Sequence, residues 1–178
     1  MPSLKVGLHE WIVVDLKNNP IELWTSGLSG CVGVAIITPT YAFVTHISSG
    51  ITPQQWENTV KEEFLAAIKN MTDINAATEC MVVGGQNPDL YTAILESVDD
   101  IMNEKTKDRL VVTPAEGKSG VKVCLEGNNR CIKVISDLTD EPPRQGTLNS
   151  STGVAHCIAR GFFTCADGYI ADLAYSFA

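Results

Sequence analysis

The sequence holds six cysteines, Cys31, Cys80, Cys124, Cys131, Cys157 and Cys165, yet no Cys-x-x-Cys pair. Zinc ribbons and thioredoxin-like redox motifs need thiols at that short spacing, so neither is expected, and no metal or cofactor is called for. Basic clusters are missing too. The 13 Lys and Arg residues are scattered among 21 Asp and Glu, giving a formal net charge of −8, and without a basic footprint nucleic acid is excluded as a partner. No apolar run is long enough to span a bilayer. The opening "MPSLKVGLHEWIVVDL" has no basic segment leading into an apolar core of signal-peptide length. A soluble chain without a Sec signal, with no membrane contact and with reduced thiols, is therefore expected. Internal repeats and low-complexity tracts are absent as well.

What is present suits an ordinary globular domain. Apolar residues make up 44% of the 178 positions and charged residues 19%, enough to bury a core. That length fits one domain, residues 1–178, and a monomer is expected. The opening third alternates β-branched or aromatic runs with Gly, Pro and Asn punctuation: "WIVVDL", "IELW", "CVGVAII" and "YAFVTHI" read as strands, with turns at "KNNP", "TSGLSG" and "TPT". At Thr52 the period changes to a helical one. Thr52 is placed to cap, Pro53 to start and Gln55 to complete a capping box, followed by Trp56, Val60, Phe64, Ala67 and Ile68 on one face. "CMVVGG" reads as a strand, and Asn87-Pro88 opens a second helix with an apolar face of Tyr91, Ile94, Leu95, Val98, Ile101 and Met102. "RLVVTP" and a hairpin around Asn128 and Asn129 return to strands, residues 136–153 form a polar loop, and the apolar tail is expected to pack back as strands. Cys124 and Cys131 flank that hairpin turn and could lie near each other across it, while a bond between them is not something the sequence shows.

The chemistry concentrates in "LWTSGLSGCVGVAIITPTYAFVTHISSG". A cysteine thiol is only a few per cent thiolate at neutral pH, so a nucleophilic cysteine needs a base. Cys31 follows a flexible turn at the start of one strand, and His46 ends the next. In an antiparallel hairpin turning at "TPT" these two positions become neighbours. Ser29, Gly30 and Val32 would offer backbone amides to an oxyanion hole, although Gly30 is equally explained by a tight turn. The imidazole also needs a group to hold its tautomer: Thr25, Ser26 or a backbone carbonyl would serve. The competing explanation is a structural thiol at Cys31 beside an incidental His46. An activated thiolate would react with iodoacetamide at mildly acidic pH, whereas a buried thiol would not.

"TSGLSGC" resembles the motif of a glutamine deamidase family that includes chemoreceptor glutamine deamidases, cytotoxic necrotizing factor catalytic domains and Burkholderia lethal factor. By that resemblance Cys31 is the nucleophile, His46 the base and Thr25 the threonine that orients the histidine. "MVVGGQNP" is similar to the glycine-pair strand of the chemoreceptor enzymes and "SGVKVCLEGNNRCIKV" to their closing hairpin, so the likeness runs over roughly residues 20–136. It implies an α+β fold, a β-sandwich of mixed sheets with flanking helices. It also implies a protein substrate whose target glutamine becomes glutamate. After the histidine this chain has "HISSG" where the chemoreceptor enzymes carry Met-Leu-Pro, which points to the toxin and effector branch, acting in the cytosol of a target cell or otherwise in the bacterial cytoplasm. A cysteine protease or a transglutaminase would use the same Cys-His pair, and a non-catalytic binding module would leave Cys31 inert.

Three further sets of residues carry plainer readings. His9, beside Glu10, is expected at a surface or strand edge, and His156 and Cys157 would point to opposite faces of a strand. Gly84, Gly85 and Gln86 are explained by a turn better than by a phosphate loop, since the Lys-Ser/Thr ending is missing.

Overall fold

A computed structural model of the chain describes residues 3–16, 22–28, 30–84, 88–101, 110–114, 120–126, 129–135 and 157–164. Asn87, Met102, Asn128, His156, Cys165, Gly85, Gln86, the stretch 136–153 and the tail after residue 164 lie outside the described residues. The strands are β1 (Ser3–Lys5), β2 (Glu10–Asp15), β3 (Glu22–Thr25), β4 (Val32–Ile37), β5 (Tyr41–Ile47), β6 (Glu79–Gly84), β7 (Leu110–Pro114), β8 (Gly120–Glu126), β9 (Asn129–Ile135) and β10 (Cys157–Phe162). The helices are α1 (Pro53–Gln55), α2 (Lys61–Ile68) and α3 (Pro88–Ile101), with a π-helical stretch at Trp56–Val60 joining the first two.

Ten strands make two sheets among the described residues: a four-stranded sheet ordered β1-β3-β8-β9 and a six-stranded sheet ordered β10-β2-β5-β4-β6-β7. Both are mixed, because β1 runs parallel to β3 and β6 parallel to β7 while the other pairs are antiparallel. This is the α+β architecture expected, two mixed sheets with flanking helices.

Alternation along β4 and β5 sorts side chains into two cores. Val32, Val34, Ile36, Phe43 and Ile47 face the helices and pack with Trp56, Val60, Phe64, Ile94 and Val98. Ala35, Ile37, Ala42 and Val44 face the smaller sheet and pack with Leu23, Val121 and Val123. The inner strands β4 and β5 of the six-stranded sheet are thus covered on both faces, which explains why "VGVAII" is apolar at every position and buried throughout.

Local signals set several of these elements. Thr52 Oγ1 accepts from the Gln55 amide and Gln55 Oε1 accepts from the Thr52 amide, the reciprocal box that starts α1. Thr38, at the "TPT" turn, donates its amide to the Tyr41 carbonyl and accepts from the Tyr41 amide through its hydroxyl, so the β4–β5 hairpin is closed by its own first turn residue. Along α3, Leu90 and Ser97 are buried with Ile94 and Val98, while Tyr91, Leu95 and Ile101 are only partly buried beside them. Ser97 goes inside because it accepts the Trp56 indole N–H at 3.2 Å and passes its own proton to the Ala93 carbonyl. From β9, Arg130 donates to the carbonyls of Pro39 and Leu16, tying the two sheets together at the hairpin end.

Candidate active site

The β4–β5 register sets Gly33 directly opposite His46. Residues opposite one another share a face, so the His46 side chain points into the space between the sheets. Cys31 lies two residues before Gly33, immediately ahead of β4 (not in its first position), and packs half-buried at the rim of the inter-sheet core. Cys31 and His46 therefore stand diagonally on one face of the hairpin, at the end away from the "TPT" turn.

Across the gap, β3 brings Thr25 from the smaller sheet. Its hydroxyl donates to the Val6 carbonyl at 2.9 Å and sits 2.8 Å from His46 Nδ1, with both groups buried. A threonine hydroxyl has one proton. With that proton committed to Val6, Oγ1 meets His46 only as an acceptor, which puts the imidazole proton on Nδ1 and the lone pair on Nε2. Of the three groups the sequence offers to the imidazole, the structure places the Thr25 hydroxyl against the ring, and a backbone carbonyl, that of Val6, orients Thr25 in turn.

Burial controls the charges. His46 is pushed down to about 3, first by desolvation and then by repulsion from His9 and Lys5. The Cys31 thiol is pushed up by burial, against a smaller opposing effect from the Ser49 backbone N–H bonded to it. Substrate-free protein at neutral pH thus holds a neutral thiol and a neutral imidazole. Desolvation disfavours both members of a thiolate–imidazolium pair in the free protein, so alkylation of Cys31 at mildly acidic pH tests whether such a pair stands there before substrate binds.

Two glycines allow this constellation to close. A Cβ on Gly84 of β6 would stand 2.7 Å from the Cys31 carbonyl oxygen and 3.1 Å from Val32 Cα. One on Gly120 of β8 would strike the Thr25 carbonyl and come within 3.0 Å of Ser26 Cα. Neighbouring strands therefore press bare backbone against the residue that carries the thiol and the one that carries the hydroxyl. Neither glycine was singled out for this by its sequence context.

His9 departs from the surface or edge position expected of it. It is fully buried, adopts φ 60°, donates its amide to the His46 carbonyl and accepts the Phe163 amide at its own. Both ring nitrogens are buried without a hydrogen-bond partner, and desolvation lowers its pKa to about 4. The bracing of β2, β5 and the segment after β10 holds it inside, a non-local cause invisible in the dipeptide His9-Glu10. Glu10 is also buried, accepts the Gly7 amide and pairs with Arg160 at 3.3 Å.

Of the residues considered for an oxyanion hole, Gly30 is half-buried in the turn before Cys31 and Val32 opens β4 opposite Ile47, its side chain in the helix-side core. Ser29 lies outside the described residues. Among the described residues no group of three or more His, Cys, Asp or Glu side chains is placed to hold a metal ion, and no helix is long and apolar enough to cross a membrane.

The fold and site define an α+β sandwich with a cysteine, a histidine and a threonine gathered at one end of the space between its sheets. No family model matches the chain, and no curated protein matches it. Among solved structures it is similar to the C-terminal domain of CNFy from Yersinia pseudotuberculosis, at 10% identity and a TM-score of 0.40 over 74% of this chain and 54% of that one. The chain thus spans about half the length of that structure.

Proposed function

We propose that the protein is a protein-glutamine deamidase that uses Cys31 as nucleophile and His46 as base. The observation that carries this reading is the Thr25–His46 hydrogen bond, which leaves His46 Nε2 as an acceptor on the face that Cys31 shares. His46 Nε2 takes the Cys31 proton as Sγ attacks the carboxamide carbon, and the oxyanion is held by backbone N–H groups around residues 30–32. The imidazolium returns the proton to the departing nitrogen, ammonia leaves and a thioester remains. Water, deprotonated by His46, then attacks that thioester, releasing glutamate and the Cys31 thiol.

Geometry supports acyl transfer through cysteine; the choice of a glutamine side chain rests on the likeness of "TSGLSGC" to the deamidase motif. Its "LSGC" spelling also supports placement with toxins and effectors that modify a host protein. Converting a neutral amide to a carboxylate removes a hydrogen-bond donor and adds a charge, enough to disable a switch residue. The test is to incubate a panel of glutamine-rich proteins with wild type and Cys31→Ser, following ammonia, chain cleavage and incorporation of a labelled primary amine. Ammonia released by wild type alone, with neither cleavage nor amine incorporation, supports deamidation. Cleavage replaces it with a protease, ammonia accompanied by amine incorporation replaces it with a transglutaminase, and equal inertness of both proteins favours a binding module.

A further inference from the structure

Cys124 and Cys131 face each other directly across the β8–β9 hairpin, with their sulfurs 3.2 Å apart and both thiols free. Val123 and Ile132, the opposed pair next to them, point into the inter-sheet core, so the thiols point to the opposite face of the smaller sheet, away from Cys31 and His46. Lys122 and Lys133 form the next opposed pair on that face, and their charges act on Cys124 to favour the thiolate. Burial and the neighbouring thiol act against it and prevail. Cys124 is buried and Cys131 half-buried, so the two sulfurs differ in access. Opposed residues of an antiparallel pair have Cα separations of about 4.5–5.5 Å, inside the range that disulfides span.

We infer that Cys124 and Cys131 form a reversible dithiol–disulfide couple, a modification site separate from the candidate active site and independent of its chemistry. The oxidant is a small exogenous disulfide of the glutathione class. The more accessible Cys131, as thiolate after losing its proton to solvent, attacks one sulfur of that disulfide, giving a mixed disulfide and one departing thiolate. Cys124 then loses its proton and attacks the Cys131 sulfur, expelling the second thiolate. The protein gives up two protons and two electrons, and the small disulfide is reduced to two thiols. A preset contact between the sulfurs makes the second step intramolecular and faster than accumulation of the adduct.

The experiment is a peptide map of the full chain after equilibration in buffers of glutathione disulfide and glutathione, with free thiols blocked in acid. Trypsin cuts after Lys122, Arg130 and Lys133, so residues 123–130 and 131–133 separate unless bonded. The expected result is that these two peptides travel together, two hydrogens lighter than their sum, and come apart on reduction. Cys124→Ser should instead hold a glutathione adduct on Cys131. Wild type that accumulates that same adduct without the linked peptides, or that keeps both thiols open to blocking at every buffer ratio, overturns the inference. The wild-type map decides the matter even if the variant does not fold.

Discussion

Thr25 Oγ1 lies 2.8 Å from His46 Nδ1 while donating to the Val6 carbonyl, so one hydroxyl sets both the orientation and the tautomer of the imidazole. Replacing Thr25 by Val removes the acceptor and frees His46 to take the other tautomer. Turnover should fall by roughly the 10²–10⁴-fold that a positioned base contributes. Thr25→Ser, which keeps the hydroxyl, should recover most of it. A nitrogen-15 spectrum of His46 gives a second readout: the Nδ1–H form in wild type and Ser, a mixture in Val. Wild-type protein with its proton on Nε2 would contradict the hydrogen-bond assignment.

The raised Cys31 thiol predicts how alkylation depends on pH. Only the thiolate reacts, so the rate at the Cys31 peptide should climb about tenfold per pH unit across the neutral range and continue to rise above pH 9. A plateau below pH 7 would mean a standing thiolate–imidazolium pair and would sink the neutral-pair description.

Gly84→Ala tests how closely β6 supports the thiol. The added methyl must displace the backbone at Cys31 and Val32, costing about 1–3 kcal/mol in stability as other overpacked sites do. Turnover should fall further than the loss of folded protein explains, since the shift is made at the nucleophile itself. An Ala variant of unchanged stability and activity would show that the contact is not tight.

Stability should rise with pH between about 4 and 6.5. His9 is lowered to about 4 and His46 to about 3 from an ordinary 6.5, so over that window the unfolded chain binds protons that the folded one does not. Each such proton adds a slope of about 1.4 kcal/mol per pH unit. The stability is fully present above 6.5 and is lost as pH falls toward the folded values. Glu10, raised by burial, acts in the opposite sense above its ordinary range and offsets part of the slope. Denaturant midpoints measured across the window should therefore increase, and His9→Asn, a residue that tolerates positive φ, should flatten the curve. An unchanged slope in that variant would mean that His9 is not buried neutral.

The parts of this site that the sequence announces are those built by local rules. The β4–β5 hairpin follows from two apolar runs around "TPT", and the diagonal placement of Cys31 and His46 follows from the hairpin. The α1 start at Thr52 is equally local, because the capping box joins residues three apart. What stays hidden depends on strands far apart in sequence. The pairing of β3 with β8 makes Gly120 a neighbour of Thr25, and the pairing of β4 with β6 makes Gly84 a neighbour of Cys31. His9 is the clearest case: its burial comes from His46 and Phe163 gripping its backbone, a contact that no nearby residue signals.

The decisive measurement is mass spectrometry of target-cell lysate incubated with wild type or with Cys31→Ser, reading glutamine-to-glutamate conversion site by site. Deamidation by Cys31 requires conversion at one or a few defined glutamines with wild type and none with the variant. Conversion at the same sites by Cys31→Ser, or no conversion by either protein, would contradict it.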